Sequence, residues 1–192
     1  MVRAGYSLLE VLVSLSLSLI LAAAATPTAL AARDSVRATA AADHVAAVLH
    51  RARTEALKRN ANVAVRFEAD GDFTRYAMYV DGNGNGVRTT EIAAGVDGVL
   101  QGGERLEQHF PGVGFGLVAG VPSVDGEGLG DADPIRVGRS RMISFSPGGT
   151  CTPGTVYVLG RGRQQLAVRV LGATGRVRTL QFDFAASAWR PR

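Results

Sequence analysis

The sequence predicts an α+β protein, with one long N-terminal helix followed by a β-rich head. The first sixty residues are poor in glycine and proline, and they combine an apolar run with a stripe at helical spacing. After Asn62 the pattern changes to short β-rich runs separated by glycine-containing turns. We therefore expect a helix over residues 6–60 and a head over residues 61–192. A chain of this length is sufficient for one ordinary domain plus the helix.

An apolar run extends from Tyr6 to Ala25 and contains a single charged residue, Glu10. A helix of this length can cross the hydrocarbon core of a membrane. A cleaved secretory signal, cut among residues 22–25, is one interpretation of the run, and a plain membrane anchor is another. The anchor alone does not account for Glu10, because a carboxylate in lipid is costly and usually has a specific partner.

The helical pattern continues beyond Pro27, where we expect a kink because proline removes a backbone hydrogen bond. Four apolar residues then recur at three- and four-residue spacing: Val45, Leu49, Ala52 and Ala56. Asn60 marks the end, so the helix is about 80 Å long. We expect residues 6–27 to lie in a membrane or fibre and residues 28–60 to pack on the head.

The head is predicted from short strands. Two of them, over 63–67 and 76–80, flank a turn at 70–72. The last third predicts four more, over residues 141–145, 155–159, 165–171 and 177–184. Residues 101–140 are rich in glycine and include three prolines. We predict a long loop there, with a short strand near 113–118.

The loop after the second strand nearly matches an EF-hand. Asp81, Asn83 and Asn85 take the first, third and fifth positions, and Gly86 takes the sixth. Glu91 comes one residue too early, however, and the flanks are predicted strands. Glycine and asparagine also suit a tight turn, since both tolerate positive φ. We predict a structural turn, with calcium binding by the three oxygen-bearing residues as the alternative.

Charge is distributed unevenly along the chain. Lys and Arg number four against twelve acids in residues 61–135, but ten against one in residues 136–192. Such asymmetry favours an anionic partner for the basic part or docking between neighbouring copies.

Neither an enzyme nor a cofactor is predicted. Cys151 is the single cysteine, so an internal disulfide is excluded, and we expect it to pack as a small apolar side chain. His44 and His50 lie about 240° apart on a helix and cannot share a metal face. Neither these histidines nor His109 belongs to a recognisable catalytic pattern, and no resident metal is predicted.

The segment from Gly5 to Val11 resembles the class III leader of type IV pilins and type II secretion pseudopilins, with Tyr6 in place of the usual phenylalanine. The resemblance implies that a prepilin peptidase removes residues 1–5 by cutting after Gly5 and then methylates Tyr6. It implies that Glu10 pairs with the N-terminal amine of a neighbouring subunit. Pro27 falls where many pilins carry a helix-kinking proline.

Other segments are similar to the GspH/FimT group of minor pseudopilins and minor pilins: residues 52–60, 81–86, 143–148 and 174–178. This resemblance implies a pilin-like fold whose head contains two packed antiparallel sheets. It implies a subunit that is held in the inner membrane by one span, in contact with lipid, with its head in the periplasm. Such a subunit enters, or primes assembly of, a type IV pilus or a type II secretion pseudopilus.

Two Gly-Arg-x-Arg segments contain Arg161 and Arg163, and Arg176 and Arg178. We expect both segments on turns, where arginine can form paired hydrogen bonds with phosphate. Some FimT-like minor pilins capture DNA through such a motif near the C-terminus, which Arg176 and Arg178 match. The resemblance therefore implies an alternative function, the binding of duplex DNA during natural transformation.

Overall fold

One long helix precedes the head. The computed structural model describes residues 7–126 and 133–192, so Gly5 and Tyr6 lie outside the described residues. Helix α1 spans Leu8–Arg59, about 78 Å at 1.5 Å per residue. The Ser7 side chain caps the first turn by accepting a hydrogen bond from the Glu10 N–H at 3.2 Å. Asn60 ends the helix in the left-handed conformation, φ 51°, which asparagine tolerates better than most residues.

Hydroxyl groups in the apolar half of α1 bond to the backbone of their own helix. Three serines donate to the carbonyl four residues earlier, at 2.7–2.8 Å: Ser14, Ser16 and Ser18. Thr26 and Thr28 make similar bonds on either side of Pro27, and the helix continues through this proline. These side chains therefore need no water, which suits a segment that lies in lipid or in a protein core.

The first sheet has four antiparallel strands in the order β3-β2-β1-β6. Their bounds are β1 Val63–Asp70, β2 Phe73–Val80, β3 Gly98–Arg105 and β6 Met142–Phe145. Strands β1 and β2 form the predicted hairpin, although each is longer than predicted. Gly71 supplies the positive φ, 62°, that the tight turn between them requires.

The second sheet has the order β10-β9-β8-β7-β4, and β5 also pairs with β7. Its strands are β4 Gly114–Phe115, β5 Ile135–Val137, β7 Gly154–Leu159, β8 Gln165–Leu171, β9 Arg176–Asp183 and β10 Ala188–Pro191. All pairs are antiparallel. Two antiparallel sheets therefore follow the long helix, which confirms the pilin-like α+β fold.

The prediction of a long loop over residues 101–140 was wrong at both ends, whereas β4 confirms the short strand predicted near 113–118, and the described residues between β4 and β5 contain neither helix nor strand. This stretch holds most of β3, all of β4 and β5, and the short helix α3, Leu106–His109. Helix α2, Thr89–Ala94, and strand β10 were not predicted either. These elements are short or contain glycine, so they have little intrinsic preference of their own, and the strands among them depend on pairing with their neighbours.

The core forms where the second half of α1 packs on both sheets. The four residues of the predicted apolar stripe are all at most 3% exposed, which confirms the stripe. Ala38, Ala41 and Ala42 extend the buried face toward the N-terminus. They meet aliphatic residues of β1 and β6 on one side and of β7 and β8 on the other. Because alanine side chains are small, the α1 backbone comes close to the strands, and one helix can pack on both sheets.

Candidate functional site

The first half of α1 is an unpartnered apolar surface. Every residue from Ser7 to Arg33 is exposed, and Leu8 is 79% exposed. Burial against the head begins only at Ala38. This half contains a segment that is long and apolar enough to cross a membrane. An apolar surface of this size in an isolated chain marks a membrane or protein interaction site.

Glu10 lies in the first turn of α1, within this apolar surface. Its side chain is exposed, and its backbone is held by Ser7 and Ser14. A carboxylate at a helix N-terminus interacts favourably with the helix dipole. In the described part of the chain it makes no ion pair, so a cation from another molecule can reach it.

Arg176 and Arg178 lie in strand β9, whereas the sequence placed the Gly-Arg-x-Arg segment on a turn and began the strand at Val177. Both side chains are exposed, and their spacing of two puts them on one face of the strand. Among residues 7–126 and 133–192 neither forms an ion pair. A shallow groove beside them also contains Asp43 of α1 and Arg192. Arginines with free guanidinium groups on a rigid strand can bind phosphate oxygens.

A row of arginines crosses the second sheet at this point. Arg178 is directly opposite Arg169, which pairs with Thr155, which in turn pairs with Arg136. Directly opposite residues share a face, and this face is turned away from α1, because Val168 and Val170 face the core. Asp125 neutralises Arg169 at 2.5 Å. Arg169 was not predicted, because only strand register places it beside Arg178.

Arg161 and Arg163 belong to a different place on the head. They lie in a short 3₁₀ turn between β7 and β8. Strand register puts Leu166 opposite Gln181 and Leu171 opposite Arg176, so this turn is at the far end of β8 from Arg176, about 20 Å away. The Arg163 guanidinium lies 5.3 Å from the centre of the Phe184 ring. The four predicted arginines therefore form two separate pairs.

The loop after β2 is organised by two buried carboxylates. Asp81 accepts hydrogen bonds from the backbone N–H groups of Asn83, Gly84 and Gly86 and from the Asn62 side chain, at 2.6–3.1 Å. Burial would raise the pKa of Asp81, but these four bonds together lower it. Asp97 accepts N–H groups from Gly82 and Arg88. The four donors to Asp81 satisfy its carboxylate within the protein. A structural turn therefore explains the loop without bound calcium.

A polar cluster joins α1 to the edge of the first sheet, and sequence analysis missed it. His44 Nε2 lies 2.9 Å from the Tyr76 hydroxyl, which donates to Glu104 at 3.3 Å. His109 Nε2 lies 3.2 Å from the same Glu104 oxygen. Burial and the neighbouring His109 lower the pKa of His44, and burial raises the pKa of Tyr76. Sixty residues separate His44 from Glu104, so no local pattern reveals the contact.

The fold and its exposed helix define the class: a pilin-like protein, whose apolar N-terminal helix carries a β-rich head. Comparison with known families agrees. The family model described as type II transport protein GspH matches residues 41–175, and the prokaryotic N-terminal methylation motif matches residues 1–26. The chain belongs to the GspH family, and it is a GspH/FimT-type minor pseudopilin with a prepilin-type leader, as the leader and head motifs predicted.

Among solved structures, the chain is similar to the minor pseudopilin EpsH from the type 2 secretion system of Vibrio cholerae. The identity is 17%, the match covers 76% of this chain and 97% of that chain, and the TM-score is 0.44. No curated protein matches the sequence.

The methylation motif implies processing by a prepilin peptidase and pseudopilin partners in a fibre. The apolar helix indicates single-pass membrane anchoring.

Proposed function

We propose that this protein is cut after Gly5, methylated at Tyr6, and then enters or primes a type II secretion pseudopilus or a type IV pilus. Before assembly it is held in the inner membrane with its head in the periplasm. The carrying observation is the division of α1. Residues 38–56 bury their stripe in the head, whereas residues 7–33 remain exposed and apolar. The exposed half needs lipid around it before assembly and neighbouring helices around it in the fibre.

Glu10 supports the proposed assembly step. An unpaired carboxylate is costly in lipid, so pairing Glu10 with a cation there removes this free-energy cost. The N-terminal amine left by cleavage before Tyr6 is such a cation. Pairing Glu10 with the amine of a neighbouring subunit would thus favour the fibre over the free membrane protein, and it would fix the axial register between neighbours.

The N-terminal peptide of the mature protein tests the processing step. In membranes of a producing cell we expect this peptide to begin at Tyr6 and to carry one extra methyl group. The Gly5→Val variant should remain uncut, because the peptidase needs a small residue before the cut and valine is branched, while Ala4→Val serves as the matched control. A mature chain that begins among residues 23–26 would instead indicate a secreted protein, and the proposal would fail.

A fibre-assembly assay tests Glu10. The Glu10→Gln variant keeps the side-chain shape but removes the charge, so we expect processing to continue while incorporation into the fibre falls at least tenfold. Asp34→Asn removes one charge from the same helix outside the apolar run, and it should assemble normally. Equal assembly of the Glu10→Gln variant and the unchanged protein would exclude the pairing role.

A second candidate function is DNA binding through Arg176 and Arg178. It is favoured by the row across β9, β8 and β5, which brings Arg178 opposite Arg169. Like charges directly opposite each other on a sheet repel, and an anion beside either arginine relieves the repulsion. Asp125 already neutralises Arg169, which leaves Arg176 and Arg178 as the cations for a phosphate backbone. The fibre would then present this face to DNA outside the membrane.

Duplex DNA titrated into the detergent-solubilised protein at two salt concentrations tests this candidate. Phosphate binding must weaken steeply with salt, and the Arg176→Ala, Arg178→Ala double variant should reduce the slope of log K against log salt by about two. The Arg161→Ala, Arg163→Ala variant makes the same charge change at the far end of β8, so it should bind almost normally. Equal losses in both variants would indicate non-specific attraction, and absence of binding at low salt would exclude the candidate.

A further inference from the structure

We propose that His44, Glu104 and His109 form a site for a divalent transition-metal ion such as Zn²⁺, which ties helix α1 to the edge of the first sheet. The three residues each offer one ligand atom, and these atoms all lie within 4.8 Å of one another. His44 lies on α1, Glu104 near the end of β3 and His109 at the end of α3. Three elements therefore converge at one point.

The chemistry of the set matches zinc. Two imidazoles and one carboxylate form a known three-ligand set for this ion, with the fourth position left to water. In a tetrahedral site with bonds of about 2.0–2.1 Å, neighbouring ligand atoms are about 3.3 Å apart. His109 Nε2 and Glu104 Oε2 are 3.2 Å apart, so this pair already has the required spacing. The remaining separations are at most 4.8 Å, so a shift of about 1.5 Å would bring those atoms to the tetrahedral spacing.

Neighbouring groups orient the carboxylate. The Gln101 side-chain amide donates to Glu104 Oε1 at 3.0 Å, and its own oxygen, Gln101 Oε1, accepts a hydrogen bond from Arg51 at 3.3 Å. Oε1 is thereby occupied, and Oε2 is directed toward the histidines. Outer hydrogen bonds of this kind fix ligand orientation in metal sites. The Tyr76 hydroxyl contacts both His44 and Glu104, and it satisfies them when no ion is bound.

The site is accessible from solvent. His44 and Glu104 are half-buried, whereas the His109 side chain is 46% exposed and lies at the rim. An ion can enter without unfolding, and a substitution of His109 should leave the fold intact. A bound ion would fasten the membrane-proximal part of the packed helix to the head, because His44 lies six residues after the first buried residue of α1, Ala38.

Isothermal titration of ZnCl₂ into the full-length, tag-free protein in detergent, after treatment with a chelator, tests the site. We expect one ion per chain and a raised melting temperature. His109→Ala and Glu104→Gln should each weaken binding at least tenfold and remove the thermal shift. His50→Ala is the matched control, since His50 is exposed on the same helix and outside the cluster, and it should bind as the unchanged protein does.

Selectivity gives a second measurement. Mg²⁺ and Ca²⁺ prefer oxygen ligands, so neither should compete with Zn²⁺ at a site that contains two imidazoles. Failure to bind one Zn²⁺ per chain would overturn the proposal. Loss of affinity in His50→Ala as large as that in His109→Ala, or unchanged binding in both His109→Ala and Glu104→Gln, would overturn it as well.

Discussion

At the scale of single residues, the Asp81 carboxylate shows how a polar group can organise a loop. It is 7% exposed and accepts four hydrogen bonds, three of them from backbone N–H groups. Hydrogen bonds to a charged acceptor contribute more than neutral ones. Gly84 and Gly86 have φ of 82° and 91°, which lets successive N–H groups turn toward one carboxylate. The same residue types that suggest calcium therefore build a turn around an acid.

We predict that Asp81→Asn lowers the free energy of unfolding by about 1–3 kcal/mol, because the amide has one acceptor oxygen for four donors. Urea denaturation at pH 7 measures the loss. Asp72→Asn, at an exposed position in the first hairpin turn, is the control and should change little. If Asp81 held calcium, adding CaCl₂ to the chelator-treated protein would raise its melting temperature. We expect no such effect.

The lowered pKa of Asp81 gives this prediction a pH dependence. Because the folded pKa is below the ordinary value of 3.8, the contribution is fully present above pH 4 to 5. It is lost as the pH falls through the folded pKa, where the native carboxyl also binds its proton. The difference between the unchanged protein and Asp81→Asn should therefore shrink in acid. A constant difference down to pH 2 would contradict the assignment.

At the scale of elements, the close approach of α1 to the head depends on small residues. Gly160 follows β7, and a Cβ placed there would lie 2.6 Å from the Ala38 Cβ and 3.0 Å from the Gln164 Cβ. Ala38 itself is fully buried. Helix and turn therefore meet without space for one more methyl group, in keeping with the dense packing of protein interiors.

Gly160→Ala should destabilise the head by about 1–3 kcal/mol, since helix or turn must shift to relieve the overlap. Thermal or urea denaturation of the protein measures the loss. Gly102→Ala, in strand β3, is a suitable control, because a Cβ there meets nothing within 4 Å and the position is exposed. Equal stability of the two variants would show that α1 does not pack so tightly against this turn.

At the scale of the whole molecule, the chain is divided between a part that folds on itself and a part that requires other molecules. The buried residues of α1 begin at Ala38, and the core includes residues of α1 and of both sheets. The preceding apolar residues contribute nothing to that core. Stability and assembly are therefore properties of different segments of one helix.

This division predicts the result of a truncation. Removal of residues 1–28 should give a head that stays in solution without detergent and unfolds with a melting temperature within a few degrees of the full-length protein. Circular dichroism against temperature measures this. A chain that begins at residue 45 is the contrasting variant. It lacks Ala38, Ala41 and Ala42 of the core, so it should be markedly less stable. A large loss on removing residues 1–28 would mean that the exposed half supports the head.

The sequence alone determined the features that depend on local pattern. The apolar run, the stripe from Val45 to Ala56, the helix end at Asn60 and the main strands follow from periodicity and turn chemistry, which act over a few residues. The leader motif at Gly5 to Glu10 is equally local, and it was sufficient to indicate the family. These signals are strong because the conformational preference of each residue type does not depend on distant parts of the chain.

The tertiary structure alone decided what depends on strand register and long-range packing. It placed Arg178 opposite Arg169, separated the two arginine pairs along β8, and formed paired strands at both ends of residues 101–140. It also brought His44 to Glu104 and His109. The contacts of the Gln165 side chain illustrate why local pattern could not predict these features. Fully buried, it binds the backbone of Gly116, Val118 and Val158, and these contacts exist only when distant segments are folded together.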